Sequence, residues 1–272
     1  MLINKNEYKS SLIELWHRVF GDSYDFIELI FKEEYEDSIL CFAELDGDRA
    51  VSAFYLIRNT LKFEKGLYDG YYLYAAATLP EYRKSGIMSR LIREAQGYCK
   101  EKNVDFISLV PSEESLYGYY SRFAFESAMY RCENIGFASN KTAGSFGRIE
   151  NTDRILEIRN GFEGNTLSFH PTSFGYAYDC LKYSGFEFRS VSDDSYLLCS
   201  DDDDFSEFMS SQKNLVNNMF NLSEAKEKIT SPFALETYDT HIYKPYGMLY
   251  PINTRLIRQW NFTDIYMNIA LD

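Results

Sequence analysis

The residues best placed to do chemistry lie in one stretch, Ala77-Thr78-Leu79-Pro80-Glu81-Tyr82-Arg83-Lys84-Ser85-Gly86-Ile87-Met88-Ser89-Arg90-Leu91-Ile92. A strand ends there, and a helix begins after a short turn of small and basic residues. The first amides of a helix have no partner within it and point outward. Together with the helix dipole they make an anion site. Gly86 lets backbone come close to a phosphate, and Arg83 and Lys84 bring neutralising charge. The chemistry indicated is the binding of a diphosphate-bearing ligand. The same spacing also suits an ordinary strand–helix turn with a capping glycine.

Such a loop needs a strand before it and a helix behind it. Leu12, Leu15, Trp16, Val19 and Phe20 recur at helical spacing over 7–20, and Gly21 ends the run. Phe26, Ile27, Ile30 and Phe31 repeat the pattern over 23–35. Residues 39–45 and 49–57 read as strands joined at Asp46-Gly47-Asp48, a hairpin signal. A second turn near Glu64-Lys65-Gly66 leads into a strand over 67–78. Residues 86–102 read as the loop's helix, with Asn103 as its stop. A strand at 104–110, a helix at 113–123 capped by Ser112, and a strand at 124–137 follow. The order is ααβββαβαβ.

These residues resemble the cofactor motif of the GNAT superfamily of N-acetyltransferases. That motif is Arg or Gln, two residues, Gly, one residue, then Gly or Ala, after a Val-x-Pro strand ending. Here the ending is Thr78-Leu79-Pro80 and the loop is Arg83-Lys84-Ser85-Gly86-Ile87-Met88. Met88 departs from the pattern, which is tolerable if its side chain turns to the core and its amide faces the pyrophosphate. The larger two-part bacterial acetyltransferases, including the enhanced-intracellular-survival aminoglycoside acetyltransferases, have similar loops. The element order over 7–137 also matches. The family's fourth helix often ends Tyr-x-x-x-Gly-Phe. Here Tyr120 takes the Tyr position, Ala124 replaces Gly and Phe125 matches.

The resemblance implies acetyl-CoA as acyl donor and an amine as acceptor. Arg83, Lys84, Ser85, Gly86, Ile87 and Met88 would hold the pyrophosphate. Backbone at Ala76, Ala77 and Thr78 would pair with pantetheine and polarise the thioester carbonyl. Tyr120 would be the general acid for the departing thiolate; a packed Tyr beside Tyr117 and Tyr119 is the plain alternative. The general base is not evident. Asp69, Glu33, Glu34, Glu113 and Glu114 qualify only by neighbourhood, and the resemblance adds the carboxylate of Asp272.

The implied fold class is mixed α/β: a GNAT fold with a mostly antiparallel central sheet, plus a smaller, GNAT-like second domain. Residues 138–148 are small and polar and read as a linker. Residues 1–140 would be the acetyl-CoA-binding catalytic domain, and 150–272 a reduced domain walling the acceptor cleft. In that second part a helix is expected at 172–183 and strands at 186–190 and 195–200. Helices are expected at 205–220 and 223–229, then strands at 233–238, 246–252 and 265–271. Lys244 to Pro251 could line the wall or be a plain buried strand.

The bulk composition narrows the function. The 272 residues carry 41 acidic and 28 basic side chains, a net charge of −13. That disfavours nucleic acid and anionic membrane surfaces, and it suits a cationic amine, a small molecule or a peptide, as well as simple solubility. Five cysteines without CxxC spacing and three scattered histidines argue against disulfides and a metal site. With no signal peptide or apolar span in view, a cytoplasmic location is expected. Two other readings stay open: a module that binds an acyl-CoA without turnover, and an aminoacyl-tRNA-dependent peptidyl transferase.

Overall fold

The computed structural model describes residues 1–64, 66–135, 147–200, 205–211, 228–232, 240–253, 256 and 265–267. Its centre is a long hairpin. Strand β3 (Arg49–Phe63) pairs antiparallel with β2 (Ile39–Asp46) on one side and β4 (Gly66–Thr78) on the other. The β2–β3 turn is the two-residue Gly47-Asp48 loop, with Asp46 opposite Arg49 and Gly47 at φ 61°. Side chains on a strand alternate between faces. Phe54 and Leu56 therefore join one apolar cluster, while Ala53, Tyr55 and Ile57 join another.

Helices cover both faces. On one lie α1 (Lys9–Phe20) and the short α2 (Tyr24–Glu28). Helix α1 buries Leu12, Ile13, Leu15 and Trp16 and ends at left-handed Gly21, whose N–H bonds the His17 carbonyl at 2.8 Å. The expected second helix breaks after Glu28 into 3-10 turns at Leu29–Phe31 and Glu33–Ser38. On the other face lie α3 (Ile87–Glu101) and α4 (Glu114–Ser121). Asn103 has φ 55°, the left-handed stop the sequence suggests. Glu113 rather than Ser112 takes the cap position of α4, and it makes no side-chain cap bond.

The sheet continues through β5 (Phe106–Leu109), β12 (Thr240–Pro251) and β6 (Glu126–Ile135). Strand β12 lies between β5 and β6 and pairs antiparallel with both. Beyond β6 come β11 (Lys228–Ser231), β10 (Phe205–Ser210), β9 (Ser195–Ser200) and β8 (Phe186–Ser192), and β1 (Leu2–Ile3) edges β2. Strand β7 (Asn165–Phe169) pairs with the far half of β3 and with β13 (Ile265–Tyr266), which also pairs with β6. The mixed, mostly antiparallel sheet with helices on both faces is the expected fold class. Residues counted with 150–272 thus complete ladders begun in 1–140.

The later part departs from expectation in places. Residues 205–210 are strand, not helix, and 228–231 are strand where a helix end was expected. Neither α5 (Thr152–Gly161) nor β7 is expected from the sequence. Helix α6 (Pro171–Tyr183) agrees with it, capped by His170. The four Asp at 201–204, most of the 138–148 linker, the 233–238 strand and Asp272 lie outside the described residues. Among the described residues no helix is long and apolar enough to cross a membrane.

Candidate active site

The site begins with two adjacent strands coming apart. Strands β4 and β5 run parallel, but their ladder holds only from Gly70–Phe106 to Tyr72–Ser108. Strand β4 runs on to Thr78 without β5. Within that free stretch it bulges. The register with β3 jumps between Ala77–Ala53 and Tyr74–Tyr55, and Ala75 sits at φ 50°. A non-glycine residue there marks backbone held by its surroundings.

A cleft of about 560 Å³ fills the gap. On the α4 side its lining includes Ala76, Val110, Leu116 and Tyr120; on the α1 side it includes Trp16, Asp22, Phe26 and Tyr74. Tyr120 is buried, and its ring meets Tyr119 at 5.2 Å and Phe125 at 6.0 Å. Its hydroxyl has no hydrogen-bond partner among the described residues. Burial, reinforced by the neighbouring Tyr119, pushes the Tyr120 hydroxyl up to about 12. The group stays protonated through neutral pH and is a proton donor, not an acceptor. Tyr119 turns elsewhere, with its hydroxyl 3.4 Å from Ser89 and the Arg122 guanidinium over its ring. Ala124, four residues after Tyr120, has φ 59°, so the backbone is left-handed where the family pattern has glycine.

The loop follows from β4. Ser52 bonds the Ala77 carbonyl at 3.0 Å and the Thr78 hydroxyl at 2.8 Å, which fixes the strand end. Ala77 is buried and Ala76 half-buried, facing the cleft. The Arg83 Nε donates to the Thr78 carbonyl at 3.1 Å, and Ser85 donates to the Tyr82 carbonyl. Lys84 (φ 62°) and Gly86 (φ 82°) both take left-handed backbone. A Cβ at Gly86 would meet nothing within 4 Å, so this glycine is required by its φ and leaves open space before the loop. The first bond into α3 runs from Arg90 N–H to the Gly86 carbonyl at 3.0 Å, which leaves the earlier amides without intrahelical partners. Ile87 and Met88 are half-buried and pack against the α3–α4 core.

The structure brings Ala76 and Tyr120 together in one cleft and sets the 83–88 loop at the end of the same strand. It does not bring the five side-chain candidates for the base there. Asp69 lines a different cleft beside His170, and Glu33, Glu34, Glu113 and Glu114 are exposed outside this lining. Among the described residues, the carboxylate that does line the cleft is Asp22, in the Gly21-Asp22-Ser23 turn between α1 and α2. Its only sequence signal is an acid directly after a helix stop. Among the described residues, the wall contributed by the later half is the end of α6, Tyr183 and Ser184, while Lys244 to Pro251 is the β12 strand.

Residues 3–128 match the family model of the acetyltransferase (GNAT) domain. No protein of curated function matches the chain by sequence. Among solved structures, a GCN5-related N-acetyltransferase from Kribbella flavida aligns with a TM-score of 0.66 at 14% identity, over 92% of this chain and 70% of that one. A conserved protein of Enterococcus faecalis V583, a probable N-acyltransferase, gives 0.65 at 13% identity over 93% and 72%. Eis1 from Mycobacterium abscessus gives 0.64 at 11% over 93% and 72%. These likenesses extend the shared fold across nearly the whole chain. Residues 3–128 match a GNAT acetyltransferase domain, and the chain has the fold of these acetyltransferases.

Proposed function

We propose that this protein transfers an acetyl group from acetyl-CoA to a cationic amine. The observation that carries the reading is Tyr120: a buried ring whose hydroxyl has no hydrogen-bond partner among the described residues, in a cleft opened by the parting of β4 and β5. Pyrophosphate would rest on the free amides of Ser85 to Met88, with Arg83 and Lys84 adding charge. Pantetheine would run along Ala76 to Thr78, and backbone N–H in the Ala75 bulge would polarise the carbonyl. The arriving ammonium first loses a proton to water. The neutral nitrogen then forms a C–N bond to the acetyl carbon as the C–S bond breaks. Tyr120 gives its proton to sulfur and recovers one from the acetylated nitrogen. Residues 1–140 form the catalytic part in this reading, and 150–272 wall the acceptor side through Tyr183 and Ser184. The buried free cysteines suit a cytoplasmic setting.

The test is thiol release from acetyl-CoA across a panel of amines. Tyr120→Phe keeps the ring packing and removes the acid. It should lower kcat on the order of 10²–10⁴-fold with little change in KM for acetyl-CoA. Tyr119→Phe should stay near wild type. Free tyrosine titrates near about 10; Tyr120 keeps its proton past that point, so kcat should hold through pH 10 and fall as pH nears about 12. A wild-type rate in Tyr120→Phe, or an alkaline fall already complete by pH 9, would remove the acid role.

A further inference from the structure

The acceptor side of the cleft has a composition the net charge alone does not suggest. Trp16, Phe20, Phe26, Tyr74 and Tyr183 supply its rings. They form one connected array: Trp16 meets Phe20 at 6.2 Å, Phe26 at 6.4 Å and Tyr74 at 5.4 Å, and Phe26 meets Tyr183 at 5.4 Å. Phe20 and Tyr183 are 47% and 49% exposed at the rim, uncovered apolar surface at the mouth of a concave site.

Asp22 is the one charged side chain among the described lining residues, and no Lys, Arg or His joins it. Its Oδ2 accepts the Trp16 indole N–H at 2.7 Å, and its backbone carbonyl lies 2.7 Å from His17 Nδ1. The carboxylate is therefore held in place. Its Oδ1 has no partner among the described residues.

These features define a ligand. One oriented carboxylate compensates one cation, and the surrounding rings attract the same charge through their faces. A second ammonium would lose water against aromatic carbon with no anion to meet it. A carboxylate on the ligand would face Asp22 with no basic residue among the described lining residues to offset the repulsion. The rings favour an apolar body. We infer that the acceptor is a compact amine with a single positive charge on an aromatic or hydrocarbon body, and that Asp22 holds that charge on arrival. Polycationic amines and free amino acids are disfavoured. The inference rests on the acetyl-transfer reading for what happens next, but not for what binds.

Calorimetry with 2-phenylethylamine, phenylalanine and spermidine separates the classes before any turnover. Wild type should bind 2-phenylethylamine at least about tenfold more tightly than the other two. Asp22→Asn keeps an oxygen for the Trp16 indole while removing the charge, and should weaken 2-phenylethylamine about tenfold with acetyl-CoA affinity unchanged. Tyr183→Ala, at an exposed position that leaves the fold intact, should weaken it as well. Equal or tighter binding of spermidine or phenylalanine overturns the inference, as does an unchanged affinity in a folded Asp22→Asn. Thiol release then tests the other reading separately. Selective binding of 2-phenylethylamine without CoA release upholds the ligand class and removes acetyl transfer. Release with spermidine and not with 2-phenylethylamine upholds acetyl transfer and removes the ligand class.

Discussion

Two arginines in the two parts of the chain mark opposite uses of charge. Arg83 is exposed on the loop before α3 and spends one donor on the Thr78 carbonyl. Around it, the amides at the head of α3 lack intrahelical partners, and the space before Gly86 is open. Arg159, on α5, is 1% exposed. Its Nη1 bonds both oxygens of Glu207 at 2.9 Å and the Tyr196 hydroxyl at 2.7 Å, and Tyr196 and Tyr266 donate to the same carboxylate. Donors left open at a surface are available to a ligand, while donors turned on a buried acid hold elements together, even though the buried Nη2 of Arg159 has no partner among the described residues. Here that hub ties α5, β9, β10 and β13.

The hub gives the largest expected effect. Glu207→Ala leaves a buried guanidinium unpaired and should cost about 3–5 kcal/mol in urea unfolding. Replacing the pair together, Arg159→Met with Glu207→Leu, should recover most of that loss. A single-mutant loss below about 1 kcal/mol would mean the hub is not structural. The loop should respond in the opposite way. In the proposed reading, Gly86→Asp puts a carboxylate where phosphate would come and should weaken acetyl-CoA by about 100-fold or more. Its cost to the unliganded fold should be only about 1–2 kcal/mol, the strain of left-handed backbone. Unchanged acetyl-CoA affinity by calorimetry would sink the loop assignment. The smallest effect concerns the helix end that sets Tyr120. Ala124→Gly relieves a left-handed alanine and should raise stability by about 1 kcal/mol, seen as a higher Tm. A lower Tm would mean that the register inferred for this turn is wrong.

What the sequence reveals follows from how local its signals are. Helices α1 and α3 and the strands β2 to β6 declare themselves through periodicity and through Gly21, Gly47, Pro80 and Asn103 at their ends. Strand β10 misleads because Glu207, Phe208, Met209 and Ser210 are all buried, so no two-residue alternation remains to tell it from a buried helix. Helix α5 has a signal, Asn151 accepting from the amides of Asp153 and Arg154, but its hydrophobic pattern is weak. The loop and Tyr120 are legible because each is a compact motif. Asp22 is not, because the cleft joins α1, β4, α4 and α6, and only the fold brings an inter-helix turn to the parted strands.

Strand β12 also sets a schedule for synthesis. Its Met248 packs in the same cluster as Tyr120, and Tyr250 lies 5.7 Å from Phe125. Strands β5 and β6 leave the ribosome long before β12, with residues 136–239 still to be made. At typical rates that interval is about 5–20 s. Through it, each strand shows the other chains of a polysome an edge that β12 will later cover. The apolar cluster that packs around Tyr120 is not complete until β12 slots in. A ribosome stalled before Thr240 would therefore hold a chain with an unfinished core, primed for edge-to-edge aggregation.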